Sequence, residues 1–203
     1  MKTLLRIPLL CLALLGSACS TLTPAPAADG TPADDFFRNL AALCGKAYAG
    51  RVVIDTPSAQ GPDPFAGKAL VMYVRECDGD TLRIPFVVGK DRSRTWVLTR
   101  TPDGLRLKHD HRHEDGSEDV LTMYGGDTVD AGTPKRQTFP ADDESRALFT
   151  REKREVSLTN VWAMEIEPDR RFVYELARPG RLFRVEFDLS QPVPAPPPPW
   201  GAH

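Results

Sequence analysis

The sequence predicts an all-β domain: an antiparallel meander of about eight to ten strands closed into a barrel, with a short N-terminal helix and one inserted short helix. Two runs carry the prediction by period-two alternation. Leu82, Ile84, Phe86 and Val88 form one, and Phe183, Val185, Phe187 and Leu189 set against Arg184, Glu186 and Asp188 form the other. Turn signals recur between such runs, at Asp78-Gly79-Asp80, Pro102-Asp103-Gly104, Asp115-Gly116, Asp169-Arg170 and Pro179-Gly180. Strands do not alternate with long helical patterns, which excludes a parallel βαβ sheet. A sandwich would also bury one face of each strand, but sequential hairpins favour closure.

Taken in order, Ala33 to Cys44 reads as an amphipathic helix, with Asp34 or Asp35 as cap and Phe36, Phe37, Leu40 and Leu43 on its apolar face. Strands follow at Arg51–Ile54, Ala69–Cys77 and Leu82–Val88, then at Arg94–Thr101, Leu105–Glu114 and Val120–Tyr124. Gly125 to Thr138 is a polar connection with one short strand at most. Ala141 to Thr150 reads as a brief helix started near Asp142 and Asp143. Val156–Ile166, Arg171–Ala177 and Leu182–Leu189 complete the meander, the first with Val156, Leu158, Asn160, Trp162, Met164 and Ile166 on one face. The domain therefore spans 33–190, and 191–203 is a proline-rich tail unable to donate a strand ladder.

Residues 1–18 read as an export signal, because Lys2 and Arg6 precede an apolar stretch too short for a membrane span of about 20 residues. The run Leu15-Gly16-Ser17-Ala18-Cys19 resembles the bacterial lipoprotein signal, with Gly16 where a larger aliphatic residue is usual. The resemblance implies acylation of Cys19, and Ser20 in place of Asp implies outer-membrane sorting, facing the periplasm. Residues 19–32 are then a lipidated N-terminus and a Pro-, Ala- and Thr-rich linker. Without lipidation, the alternative is plain secretion after Ala18. Acylation would leave Cys44 and Cys77 to pair in an oxidising compartment, stabilising the fold by about 4 kcal/mol, unless they are two separate buried thiols.

The chain carries 26 basic against 28 acidic residues, net charge −2, with the two signs interleaved. No basic surface for a polyanion is built from this pattern, so nucleic acid is not an expected partner. The segment Gly45-Lys46-Ala47-Tyr48-Ala49-Gly50, placed between a short helix and a meander, resembles the opening of lipocalin-like (calycin) β-barrels, with Tyr48 where that family generally has Trp. The resemblance implies a ligand-holding interior. As a whole, the chain resembles uncharacterised proteobacterial lipoproteins, which assigns no chemistry.

His109, His111 and His113 recur at every second position of one strand and so share the face of Leu105 and Leu107. Three imidazoles on one face could hold a transition metal if a neighbouring strand supplied a fourth ligand. They could equally form a polar network or the rim of a pocket. Asp110, Glu114, Asp115, Glu118 and Asp119 raise a calcium alternative that lacks EF-hand spacing. Candidate ligand contacts are Arg75, Trp96, Arg100, His109, Tyr124 and Trp162, with Arg94 and Met123 on neighbouring strands; Arg75 could instead pair with Glu165 or Glu175. Ser93, Ser117, Ser145 and Ser157 lack a glycine-framed nucleophile elbow, and Gly125-Gly126 reads as a loop hinge without the Lys-Ser/Thr pair of a phosphate cradle. The residues favour a small amphipathic ligand over catalysis. A metal-binding or metal-dependent role, or a structural envelope role with a protein partner the sequence does not name, are the alternatives.

Overall fold

The alternating runs close on one another as a barrel wall. The computed structural model describes residues 30–57 and 63–202; the expected export signal (1–18) and the expected acylation site Cys19 lie outside the described residues. The strands are β1 (Ala47–Thr56), β2 (Leu70–Tyr73), β3 (Glu76–Asp78), β4 (Thr81–Val88), β5 (Asp91–Thr101) and β6 (Gly104–His111). They continue as β7 (Tyr124–Asp127), β8 (Arg136–Pro140), β9 (Val161–Glu167), β10 (Arg171–Arg178) and β11 (Arg181–Asp188). Every pairing is antiparallel, in the order β7-β6-β5-β4-β2-β1-β11-β10-β9-β8, with β3 paired to β4 off that path. The expected all-β barrel is what forms, and in outline it is a lipocalin-like one.

Closure happens between β7 and β8, and two glycines permit it. A side-chain carbon on Gly125 would lie 1.8 Å from the Leu107 carbonyl oxygen, and one on Gly126 would lie 1.8 Å from that of Pro140. Helix α2 (Asp143–Arg151) then stitches the seam. Asp142 donates its N–H to the Gly125 carbonyl at 3.0 Å, and the buried Ser145 hydroxyl donates to the same oxygen at 2.9 Å. Lys108, on the outer face of β6, donates to Asp142 at 2.8 Å and Glu144 at 2.9 Å. Burial works to lower the Lys108 ammonium, but those two carboxylates outweigh it and hold the group above its ordinary range. Gly125-Gly126 is thus a strand pair at a crowded seam, not the expected loop hinge.

Helix α1 (Pro32–Ala41) plugs one end of this barrel. Thr31, rather than Asp34 or Asp35, is its N-cap, because Pro32 takes the first helical position and Asp34 returns a bond to the Thr31 N–H at 3.1 Å. Phe36, Phe37 and Leu40 turn inward and are buried. The guanidinium of Arg100 ion-pairs with Asp34 and lies 4.4 Å above the Phe37 ring. Just beyond the helix, Cys44 is disulfide-bonded to Cys77 of β3 across a separation of 33 residues. That bond holds the plug at the end where β1, β4 and β10 begin.

Several expected boundaries shift. The run Ala69–Cys77 splits into β2 and β3. Val120 lies outside any strand, and β7 begins only at Tyr124. Val156 does not open a strand: Glu155–Ser157 is a 3-10 turn and Val156 is 66% exposed, whereas Leu158 packs against the core from outside any strand and Asn160, Trp162, Met164 and Ile166 of the expected row are buried. Glu165 and Glu175 pair with Arg136 and Arg184 on the outer wall, whereas Arg75 pairs with Glu76. The tail is not loose either. Val193 donates to the Ala47 carbonyl at 2.8 Å, and Arg92 holds the Pro198 carbonyl at 2.7 Å, strapping the proline run along the wall.

Candidate functional site: the open end of the barrel

The inward rows of β5, β6 and β10 end in polar groups opposite the plug: Arg94 and Trp96, His109 and His111, Tyr174 and Arg178. Among the described residues no helix plugs this end as α1 does the other, although Phe149 of α2 lines one side of it. Two chambers lie here, sharing the walls His111, Tyr124, Tyr174 and Leu176. The inner one has a volume of about 190 Å³ and is lined mainly by rings, including Phe65, Phe86, Trp96 and Phe183. The outer one has about 320 Å³ and is lined by Asp119, Phe149, Arg154, Trp162 and Arg178 among others.

The rings are stacked upon each other. Trp96 lies 4.5 Å from Tyr174 and 5.0 Å from Phe86, centroid to centroid, and Phe65 lies 4.9 Å from Phe183. His109 stacks on Tyr124 at 4.8 Å. A carbonyl can only accept, so the His109 Nδ1–H donates to the Tyr124 carbonyl at 3.0 Å. Nε2 of His109 is therefore the acceptor, and the Tyr174 hydroxyl donates to it at 2.7 Å. A second phenol–imidazole pair joins Tyr124 Oη and His111 Nε2 at 3.2 Å.

Burial sets the charge state of all four groups. It pushes His109 down to about 3, with the Tyr124 carbonyl opposing and the neighbouring His111 and Lys108 reinforcing. It pushes His111 down to about 4, helped by Arg94 and opposed by Asp119, Asp91 and Asp110. Tyr124 is pushed up to about 12 by burial, and Tyr174 is raised well above the ordinary phenol range. At neutral pH the site presents neutral imidazoles and intact hydroxyls.

Of the expected site residues, Trp96, His109, Tyr124 and Trp162 do meet at this end, together with Arg94 and His111. Arg100 does not: it points to the same interior but at the opposite end, bound to α1. Arg75 stays outside the cavity with Glu76. Met123 is 40% exposed and lines neither chamber. The three-histidine metal centre fails on geometry. Strand β6 stops at His111, whose N–H goes to the Thr122 hydroxyl at 2.8 Å, and His113 falls in the exposed turn beyond. Both ring nitrogens of His109 are already engaged. The acids proposed for calcium also diverge, Asp110 and Glu118 holding Arg112 while Asp115 caps Ser117. Among the described residues, no group of three or more His, Cys, Asp or Glu side chains could hold a metal ion.

Sequence reasoning missed Tyr174, Arg178, Arg181, Phe65 and Phe183. One signal was available: Arg178-Pro179-Gly180-Arg181 is a hairpin in which both arginines must face the same side. No family model, curated protein or solved structure matches this chain.

Proposed function

We propose that the chain is a membrane-tethered periplasmic binding or envelope-maintenance protein that takes a small amphipathic molecule into the open end of its barrel. The supporting observation is the asymmetry of the interior: Phe36, Phe37 and Leu40 of α1 are buried in one end, whereas a ring-lined chamber lies behind Trp96 and Tyr174 at the other. An apolar cavity of about 150 Å³ is large enough to bind benzene, so the inner chamber has room for a modest apolar body. Hydroxyls, imidazoles and arginines at its rim offer polar contacts to the other half of such a molecule. A general acid or base working near neutrality needs a pKa near 7. The histidines and tyrosines here are displaced far to either side, which favours binding over proton transfer. The periplasmic tether rests on the Cys19 signal, and the Cys44–Cys77 bond fits an oxidising compartment. The metal-dependent alternative lacks its ligand set among the described residues. The tail is tied to the wall at Val193 and Pro198 yet leaves Pro192, Pro194 and Pro197 exposed, so a structural role with a protein partner remains the second reading.

N-phenyl-1-naphthylamine, a dye that brightens in apolar surroundings, should bind the purified protein saturably. Leu176→Trp puts bulk into the wall shared by both chambers and should abolish that binding with little change in melting temperature. Purely linear, non-saturable brightening of the unaltered protein would remove the case for a ligand. The tether is tested separately by palmitate labelling in a diderm host: Cys19→Ala should erase the label, and an unlabelled parent chain would mean no lipid anchor.

A further inference from the structure

Arg178 and Arg181 are register partners across the β10–β11 turn, so their side chains leave the same face side by side. Like charges placed directly opposite each other destabilise a hairpin. Arg181 has a carboxylate, Asp55, and Arg94 across the inner chamber has Asp91. Arg178 has none among the described residues: its Nη1 donates to the neutral Asn160 Oδ1, at 3.1 Å. Burial, and then the charge of Arg181, press its guanidinium below its ordinary range. Arg154 lines the same outer chamber and makes no ion pair among the described residues. Asp119 is the one carboxylate among the described residues lining either chamber, against Arg94, Arg154, Arg178 and Arg181, so positive charge outruns carboxylate where the two chambers meet.

The space behind these arginines selects shape. The inner chamber is walled by stacked rings, Trp96 on Tyr174 on one side and Phe65 against Phe183 on another. A volume of about 190 Å³ suits one ring or two fused rings and is too small for a long acyl chain. Flat aromatic faces also pack best against flat ligands.

We propose that the open end recognises an aromatic carboxylate, its ring in the inner chamber and its anionic group on Arg178, flanked by Arg181. This rests on the small-ligand reading above and narrows it to one class. A carboxylate there would relieve the like-charge pair and give Arg178 the bidentate partner it lacks.

Isothermal titration calorimetry with a matched series separates the two levels. The series is 2-naphthoate, the neutral 2-naphthalenemethanol, the cationic 2-naphthylmethylamine, and laurate as a non-aromatic carboxylate. The expected result is 2-naphthoate binding about tenfold or more tightly than the alcohol, with the amine and laurate weaker still. Arg178→Gln should erase the preference for naphthoate over the alcohol, and Arg178→Lys should restore part of it. Equal affinity for acid and alcohol, or tighter binding of laurate, overturns the proposal. So does a preference for naphthoate that survives in a folded Arg178→Gln protein. In those cases dye binding still supports a ligand site of another class. Failure of the whole series and of the dye together removes both. The ligand comparison uses the unaltered protein, so the proposal is decided even if an Arg178 variant does not fold.

Discussion

The two ends of this barrel use similar residues to opposite effect. Strand β5 carries Arg94 near one end and Arg100 near the other, six residues apart on the same inward face. At the plugged end Arg100 is consumed: Asp34 takes its charge and Phe37 covers its plane. At the open end Arg94 faces a cavity shared with Arg181, and beyond it Arg178 has no carboxylate partner among the described residues. A helix supplies ring, acid and backbone caps at one mouth, and nothing in the described chain does the same at the other. Stability and recognition are therefore expected to separate along the barrel axis, with little coupling between substitutions at opposite ends.

The largest effect should follow from opening the plug. Phe36 is 0% exposed, beneath the helix and against the barrel core. Removing its ring loses both buried area and packing, which for Phe→Ala costs about 3–5 kcal/mol. Phe36→Ala should lower the melting temperature by many degrees, while the fraction still folded binds naphthylamine dye with unchanged affinity. A matching loss of dye affinity in the folded protein would show that the plug shapes the cavity, and the division between the ends would fail.

The barrel was far more legible in the sequence than the site it contains. Alternation fixes which face of each strand is apolar, so the inward rows of β4, β6 and β11 could be read directly, including His109 and His111. The limits of strands were harder. Val156 fits the inward pattern by parity, yet a 3-10 turn holds it outside. His113 also fits by parity, but Arg112 bridges to Glu118 and Asp115 caps the turn, so the ladder stops before it. Which inward residues share an end depends on strand stagger, which sequence spacing does not encode. That is why Arg100 and Arg75 were grouped with His109 and lie elsewhere, whereas Tyr174 and Arg178 were not and complete the mouth. Trp96, Tyr124 and Trp162 were found because large rings seldom leave a barrel interior.

A smaller and more specific effect should come from acid, and it separates the ends by titration instead of volume. His109 and His111 are held neutral by burial, at about 3 and about 4, against an ordinary histidine value of about 6.5. Between those values the unfolded chain binds protons that the folded one refuses. Stability is therefore full above about pH 6.5 and falls as the pH drops, by about 1.4 kcal/mol per pH unit for each histidine once well below 6.5. Urea unfolding at pH 7.5 and pH 5.5 measures the loss. His111→Gln keeps a polar side chain beside Tyr124 but removes one titrating ring, so it should reduce the loss between the two pH values by about half. Asp142 at the seam acts in a different window. Burial would raise its carboxyl, but its bonds to Lys108 and Ser145 hold it below the ordinary range, so its contribution fades only in stronger acid. Among the described residues the plugged end has no buried imidazole, so Phe36→Ala should lower stability at both pH values alike and leave the slope intact. A slope that vanished in Phe36→Ala but persisted in His111→Gln would place the acid sensitivity at the wrong mouth.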